Sequence, residues 1–257
     1  MVLAIHIGNT TAKFGFLTEG GCIMGRVSIH KGMTVDDAVI QLRQIADIKG
    51  VSGSVDEAVL SSVSPALTPL YAEAVEALYD VRPLVVGPGV KTGLNIKIND
   101  PSELGADLVC MSVGVLVKYP LPSVLIHVGN ATTLSYLDAA GSFTGAIITA
   151  GLRRMLDSLV SSADLLNPVV LAPPAKLFGT DSAESIRSGI LYGAAAMIDG
   201  LHARICDSHP VASTVMTGDF ALTVQPYCHT QMIHDELLMF DGMAAILERH
   251  KRMTKTL

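Results

Sequence analysis

The sequence predicts an α/β protein built from two lobes that share one topology. The phrase Ile-His-Ile-Gly-Asn-Thr-Thr at Ile5–Thr11 returns in closely similar form at Ile126–Thr133. Each copy follows an apolar run and turns through Gly-Asn into hydroxyl-bearing residues and a further strand pattern. Strand patterns followed by helix patterns occur twice, as expected of α/β lobes. A repeat at about half the chain length indicates a duplicated unit, with one turn from each lobe at a shared cleft.

Composition narrows the class of protein. The chain has 257 residues, of which 49% are hydrophobic and 16% charged, enough for one large domain or two compact lobes. A net charge of −6 without a basic stripe argues against nucleic-acid binding. The apolar stretch 113–128 is interrupted by Lys118, two prolines and His127, and the N-terminus lacks the features of a secretory signal. We therefore expect a cytoplasmic protein that contacts no membrane.

The first lobe, residues 1–117, begins with three strand patterns and continues with alternating helices and strands. Helical spacing of Ala38, Leu42 and Ile45 follows Thr34, a suitable N-cap. The last helix opens at Pro101, where a missing N–H is harmless. In chain order the predicted elements are strands Val2–Ile7, Ala12–Thr18 and Cys22–Ile29, helix Val35–Lys49, strand Ala58–Val63, helix Pro69–Tyr79, strand Pro83–Val86 and a helix from Pro101 to about Tyr119.

The second lobe, residues 118–257, repeats the strand pattern and then becomes mainly helical. No low-complexity linker precedes it, so the helix ending near Tyr119 is expected to join the lobes. In chain order the predicted elements are strands from Ser123 with a turn at Ala139–Gly141, helices Gly151–Leu166 and Ser182–Asp207, strand Ala212–Met216 and helix Asp235–Met253.

Four cysteines show no Cys-x-x-Cys pairing, which predicts reduced and mostly buried thiols. A zinc site is the alternative for the C-terminal Cys and His residues, but their spacings fit no standard arrangement. The residues concerned are Cys206, His209, Cys228, His229 and His234.

The two turns have a composition that suits phosphate. Glycine lets the backbone approach a ligand closely, and threonine supplies hydroxyls and amides for phosphate oxygens. Lys13 follows the first turn closely and could reach the same anion. The alternative is a pair of tight hairpins with no ligand, and the repetition favours the phosphate site.

These features resemble the type III pantothenate kinases, of the acetate kinase, sugar kinase, Hsp70 and actin superfamily. The first phosphate motif of the family, Asp-x-Gly-Asn-Thr-x-x-Lys-x-Gly, matches His6–Gly15 except at its first residue. Similar segments follow in the family's order along nearly the whole chain: Gly89–Lys97, Asn99–Asp107, Phe143–Ile147, Gly151–Leu152 and Ser185–Gly193. The resemblance implies a two-lobed, duplicated ribonuclease H-like fold of the actin-like ATPase superfamily. It also implies phosphorylation of pantothenate in coenzyme A biosynthesis, with ATP, Mg²⁺ and a monovalent cation, K⁺ or NH₄⁺.

The resemblance also assigns roles to residues. Asp107 is implied as the general base that accepts the proton of the pantothenate primary hydroxyl. His127 stands where the family has the aspartate of its monovalent-cation site. The residues implied to bind substrate are Gly105, Ala106, Leu108 and Ser182. Those implied to bind nucleotide are His6, Gly8, Asn9, Thr10, Lys13, Gly129, Asn130, Thr132 and Thr133.

The chain departs from the family where the chemistry lies. His6 and His127 replace two aspartates, and Leu108 replaces an arginine that helps to hold pantothenate. Imidazole is a poor replacement for carboxylate around Mg²⁺. Three interpretations of the histidines stay open. The aspartates were lost by sequence drift in a duplicated copy under relaxed selection, or an imidazolium at His127 replaces the missing cation, or His6, His127 and Asp107 hold a transition metal.

Three functions follow from these interpretations. The first is a pantothenate kinase that is impaired alone and acts as a homodimer or as one subunit of a heteromer with a paralogous chain. The second is a catalytically inactive regulatory protein that binds nucleotide or pantothenate. The third is a kinase for another small alcohol, because Leu108 favours a less anionic substrate.

Overall fold

The structure is a computed structural model that describes residues 1–161 and 169–254, and it divides into two compact units. The first unit contains Met1–Leu94, Asn99–Lys118 and the chain from Leu237 onward, and the second contains Asn95–Ile98 and Tyr119–Glu236. The strands are β1 Val2–Ile7, β2 Thr11–Thr18, β3 Gly21–Ser28, β4 Glu57–Ser62, β5 Leu84–Val85, β6 Asn95–Ile96, β7 Ser123–Val128, β8 Ala131–Leu137, β9 Ser142–Ala150, β10 Ser213–Thr217 and β11 Ile233–His234. The helices are α1 Val35–Ile48, α2 Thr68–Tyr79, α3 Ala106–Lys118, α4 Leu152–Ser161, α5 Ser182–Ser208, α6 Ala221–Val224 and α7 Leu238–Thr254.

Both units contain a sheet of the same topology. In the first unit the strand order is β3-β2-β1-β4-β5, with β1 antiparallel to β2 and parallel to β4. In the second unit the order is β9-β8-β7-β10-β11, with the same directions, and β6 adds to the free edge of β9. The duplicated α/β architecture that the repeated phrase predicts is therefore confirmed.

Alternating burial assigns the two faces of the first sheet. Odd-numbered β1 residues such as Ile5 and Ile7 belong to the core that includes Leu42 of α1 and Tyr71 of α2. The even-numbered residues point the other way because successive side chains alternate across a strand. On that face Gly15 of β2 lies under the ring of Phe240 in α7, so α7 covers the face that carries His6.

Helices α3 and α7 pack at a distance that only glycine permits. A Cβ on Gly242 of α7 would collide with the carbonyl oxygen of Cys110 in α3. A Cβ on Gly114 of α3 would likewise collide with the carbonyl oxygen of Leu238. The contact places the closing helix in the first unit.

In the second sheet, too, alternate residues of each strand face opposite sides. Val124, Ile126 and Val128 of β7 pack in a core with Leu152 of α4 and Leu191 of α5. His127 therefore belongs to the opposite face, as His6 does in the first sheet. Among the described residues, no helix is long and apolar enough to cross a membrane.

Several element boundaries differ from the sequence expectations. Residues Pro101–Glu103 form a separate 3-10 turn, and α3 begins only at Ala106. The predicted helix Gly151–Leu166 begins at Leu152, and its part at 162–168 lies outside the described residues. Two elements were not predicted, α6 and β11, because at four and two residues they are too short for a periodic pattern. Strand β6 lies within the segment Gly89–Lys97, which resembles a strand of the family.

The expected division at 117/118 lies next to the end of α3. The contact-based units differ from it at the C-terminus, since the chain from Leu237 onward groups with the first unit. The reason is the close packing of α7 on α3.

Candidate active site

The first turn joins β1 to β2 and holds the first group of implied nucleotide residues. The Gly8 amide donates to the Thr11 carbonyl at 2.9 Å, which closes the turn, and Asn9 and Thr10 are exposed at its tip. The Ile29 amide donates to the Thr10 carbonyl at 3.0 Å and anchors the turn to the end of β3. The turn is thus fixed by backbone bonds, and its tip is open to a ligand.

His6 lies at the base of this turn. Its side chain is 7% exposed, and its Nδ1 is 3.4 Å from the Ser61 hydroxyl of β4. Its Nε2 lies on the side of Gly8, 3.6 Å from the position that a Gly8 Cβ would take. Lys13 is its direct cross-strand partner, so the two side chains share one face. Two basic groups therefore lie beside the turn.

Asp107 lies in the first turn of α3, in the same unit as His6. It is partly buried, and the Leu108 amide donates to its Oδ1 at 2.9 Å. A Cβ on Gly105 would stand 2.5 Å from this Oδ1, so Gly105 makes room for the carboxylate. The same Cβ position is 3.9 Å from Val63, which directly follows β4. Asp107 is thus held near the ends of the strands that carry His6 and Ser61.

The implied substrate residues fall in both units. Gly105, Ala106 and Leu108 surround Asp107 at the start of α3, and Leu108 is buried at 8% exposure. An apolar side chain thus stands where the resemblance implies an arginine. Ser182 is the exposed first residue of α5 in the second unit, directly after the N-cap Asp181.

The second turn is shorter than the first by one residue. Val128 pairs with Thr132, leaving three residues between them, whereas Ile7 pairs with Ala12 and leaves four. As a consequence the partner of His127 is Thr133, where His6 has a lysine. The two copies of the phrase therefore differ in charge.

Three glycines pack around this second turn. A Cβ on Gly129 would lie 2.7 Å from Cε1 of His127, and one on Gly218 would lie 2.8 Å from its Cδ2. Gly218 also has φ +113°, a conformation that favours glycine. The Gly151 amide donates to the Asn130 carbonyl at 3.1 Å, which brings the start of α4 onto the turn. The half-buried His127 ring thus lies against the backbone of its own turn and of Gly218, the residue after β10.

Thr133 offers an unused hydrogen-bonding group beside His127. Its side chain is 6% exposed, and its Oγ1 has no hydrogen-bond partner among the residues that the structure describes. An unpartnered buried hydroxyl costs free energy, about 1–3 kcal/mol. Thr217 of β10 lies on the other side of His127 in register. A ligand with an oxygen or a cationic centre would satisfy this hydroxyl.

Metal-binding alternatives gain no support from the described part of the chain. No group of three or more His, Cys, Asp or Glu side chains that could hold a metal ion occurs there. The Cys206 thiol contacts His202, and the His229 amide donates to Asp199. All four cysteines are free, and only Cys110 is buried, so the expectation of mostly buried thiols was wrong.

Two residues that adjoin the site, Ser61 and Cys110, were not predicted from the sequence. Burial raises the pKa of the Cys110 thiol to about 12. A signal was available for Ser61, because the ends of parallel strands β1 and β4 meet at one edge of the sheet. No signal pointed to Cys110, which looks like any apolar position of α3.

Comparison with known proteins places this geometry in a family. The family model described as type III pantothenate kinase matches residues 2–204. A type III pantothenate kinase of Exiguobacterium sp. is 31% identical over 254 residues, covering 98% of this chain and 100% of the relative. That of Bacillus cytotoxicus is 30% identical over 253 residues, covering 97% of each chain.

Solved structures agree on the fold. The activator of 2-hydroxyisocaproyl-CoA dehydratase from Clostridium difficile, solved with bound ADPNP, has a TM-score of 0.60 at 16% identity and covers 100% of this chain and 97% of its own. Component A of (R)-2-hydroxyglutaryl-CoA dehydratase from Acidaminococcus fermentans has a TM-score of 0.56 at 15% identity, with 98% of both chains covered. The chain shares the fold of these structures and belongs to the type III pantothenate kinase family.

Proposed function

We propose that this protein is an ATP-dependent pantothenate kinase of reduced activity. The observation that carries the proposal is the retention of Asp107 at the first turn of α3, in a unit that also presents a phosphate-type turn with Lys13 beside it. The names of the relatives support pantothenate as the substrate. The cytoplasm, where ATP is available, is the compartment we propose.

The reaction uses the residues of the site as follows. The Asp107 carboxylate accepts the proton of the pantothenate primary hydroxyl, whose oxygen attacks the γ-phosphorus of ATP. The bond from that phosphorus to the β,γ-bridging oxygen breaks, and ADP leaves. Lys13 and His6 donate to phosphate oxygens at the first turn. Such transfers depend mainly on positioning and charge neutralisation.

The family implies a divalent metal, but the histidines do not fit Mg²⁺ or K⁺. Both cations prefer oxygen ligands, and neither His6 nor His127 supplies one. The proposed step therefore uses the side chains alone. The loss of carboxylates at positions 6 and 127 is the reason for expecting reduced activity.

A second candidate is a regulatory protein that binds ATP or pantothenate without turnover. His6 and His127 favour it, because each stands where the resemblance implies a carboxylate. A heteromer with a paralogous chain that carries both aspartates, or a homodimer, is the assembly we propose. The strongly exposed Ile148 of β9 and Phe178, at 68% and 82%, support a subunit contact in the second unit.

The test is phosphoryl transfer from radiolabelled ATP to pantothenate by the purified chain. Asp107→Asn should lower kcat about a hundredfold or more, as expected for loss of a general base. Asp36→Asn is the matched control, because Asp36 is an exposed acidic residue in the first turn of α1. Its kcat should equal that of the unmodified chain.

Restoring the family residues tests the cause of the reduced activity. His6→Asp, His127→Asp and Leu108→Arg together should raise kcat with Mg²⁺ present. No turnover in any variant, alone or mixed with an aspartate-bearing paralogue, would refute the kinase. Calorimetric binding of ATP under those conditions would then favour the regulatory protein.

A further inference from the structure

A thiol, an imidazole and a hydroxyl lie in contact between α5 and β10 of the second unit. Cys206 and His202 are one helical turn apart on α5, and the Cys206 Sγ lies 3.7 Å from Nδ1 of His202 and 3.8 Å from its Nε2. The same Nε2 is 2.8 Å from the hydroxyl oxygen of Thr214 in β10. The imidazole therefore stands between a strand hydroxyl and a thiol.

Three of the four cysteines are poor nucleophiles at neutral pH. Burial, complete for Cys110 and partial for Cys22 and Cys228, raises the pKa of the Cys22 thiol to about 11 and those of the other two to about 12. A thiol attacks electrophiles through its thiolate, so these three keep their protons and stay inert. Cys206 is the exposed cysteine of the four, and it contacts an imidazole.

The His202 ring has the properties of a base toward this thiol. Its partial burial lowers its pKa below the ordinary value of 6.5, although Asp199, three residues earlier on α5, opposes this effect. The Asp199 carboxylate is itself bound by the His229 amide at 2.8 Å. At neutral pH the ring is therefore neutral and has one nitrogen without hydrogen. The Thr214 hydroxyl can accept from Nε2–H, which leaves the Nδ1 lone pair for the Cys206 proton.

We propose that Cys206 is a thiol-modification site for small disulfides such as oxidised glutathione, with His202 as the base that accepts the thiol proton. The Cys206 sulfur attacks one sulfur of the disulfide while Nδ1 of His202 takes the proton. The disulfide bond of the reagent breaks, the leaving sulfur takes the proton from the imidazole, and a mixed disulfide remains on Cys206. The step needs no other oxidant, and it does not depend on the proposed kinase function.

The site is tested by mass spectrometry of the full-length protein after incubation with oxidised glutathione at neutral pH, followed by digestion to locate the modified peptide. We expect one glutathione per chain, attached at Cys206. Cys206→Ser should abolish the reaction, whereas Cys22→Ser should leave it unchanged. Modification of another cysteine before Cys206, or no modification under conditions in which free cysteine is fully exchanged, would overturn the site.

The role of His202 is tested by the rate of this reaction. His202→Gln should slow it about three- to tenfold at neutral pH, because the thiol loses its base. His209→Gln is the matched control, because the His209 ring bonds Ser208 and stacks on Tyr136 instead, and it should leave the rate unchanged. Equal rates for the two variants would overturn the role of His202.

The pH profile of the unmodified chain is a second measurement that needs no variant. With His202 as the base, the rate falls as the pH drops through the lowered imidazole pKa, and it is nearly constant from there up to an ordinary thiol pKa of about 8.5. An unassisted thiol instead loses rate steadily below that value, about tenfold per pH unit. A profile of this second kind would overturn the base even if His202→Gln failed to fold.

Discussion

Lys13 lies directly opposite His6 across the β1–β2 hairpin, so an ammonium group and an imidazole share one face at the base of the first turn. In the second unit the same position relative to His127 is occupied by Thr133, because that turn is one residue shorter. The two turns therefore have different charges despite their nearly identical sequences. We expect the first turn to bind the more anionic part of a ligand.

Lys13→Met tests this expectation, since methionine keeps most of the side-chain length but removes the charge. Loss of one charge-assisted hydrogen bond, about 1.5–3 kcal/mol, should raise KM for ATP about ten- to a hundredfold. Lys31→Met, at an exposed lysine after β3, is the control and should leave KM unchanged. Equal effects of the two variants would contradict the assignment of Lys13.

The enclosure of His127 by glycine backbone leads to a second prediction. A methyl group at Gly129 would meet the His127 ring at 2.7 Å and force it out of position. Gly129→Ala should lower the free energy of unfolding by about 1–3 kcal/mol, as overpacking usually does. Gly145→Ala is the control, because Gly145 in β9 of the same sheet has open space around its Cβ position. It should change the free energy of unfolding by less than Gly129→Ala does. Denaturant titration measures both, and a Gly129→Ala protein as stable as Gly145→Ala would refute the enclosure.

Because α3 and α7 pack closely, we expect substitution of Gly242 to lower the free energy of unfolding strongly. The added methyl of Gly242→Ala would collide with the backbone carbonyl of Cys110, which cannot move without shifting α3. We expect a loss of about 3 kcal/mol in the free energy of unfolding, at the upper end for overpacking. Gly193→Ala, at an open position of α5, should instead stabilise the protein by up to about 1 kcal/mol through helix propensity. Thermal unfolding distinguishes the two, and a neutral Gly242→Ala would show that the helices are farther apart.

The lowered pKa of Asp138 leads us to expect that the stability of the protein depends on pH. The carboxylate accepts from Lys97 Nζ at 2.8 Å and from the amides of Ala140 and Ser142, and these bonds lower its pKa to about 2. An unfolded aspartate has a pKa of about 3.9. Because the folded pKa is the lower one, the stabilisation is fully present above about pH 4 and is lost as the pH falls through 2.

Asp138→Asn should remove this dependence. The difference in urea midpoint between the unmodified chain and the variant should be largest near neutral pH and shrink as the pH falls from about 4. Asp157→Asn is the control, because Asp157 forms an exposed pair with Arg153 and should contribute little. A difference for Asp138→Asn that stays constant with pH would contradict the prediction.

The sequence by itself determined the duplicated fold, the family and the first residues of both turns. These features depend on residues that are close together in the chain, so the sequence alone shows them. They are the alternation of the strands, the capping of α1 by Thr34 and the repeated phrase. The motif around Asp107 was recognisable for the same reason, since its residues are contiguous in the chain.

Only the tertiary structure decided how distant segments meet these local motifs. Ser61 reaches His6 because β4 pairs with β1 in the register that places the two residues side by side. Gly151 and Gly218 close around the second turn from segments 20 to 90 residues away along the chain. Contacts of this kind depend on the pairing of strands and the packing of helices, so they leave no periodic trace in the sequence. The residues of each turn can therefore be read from the sequence. The groups that those residues contact depend on the tertiary packing of strands and helices.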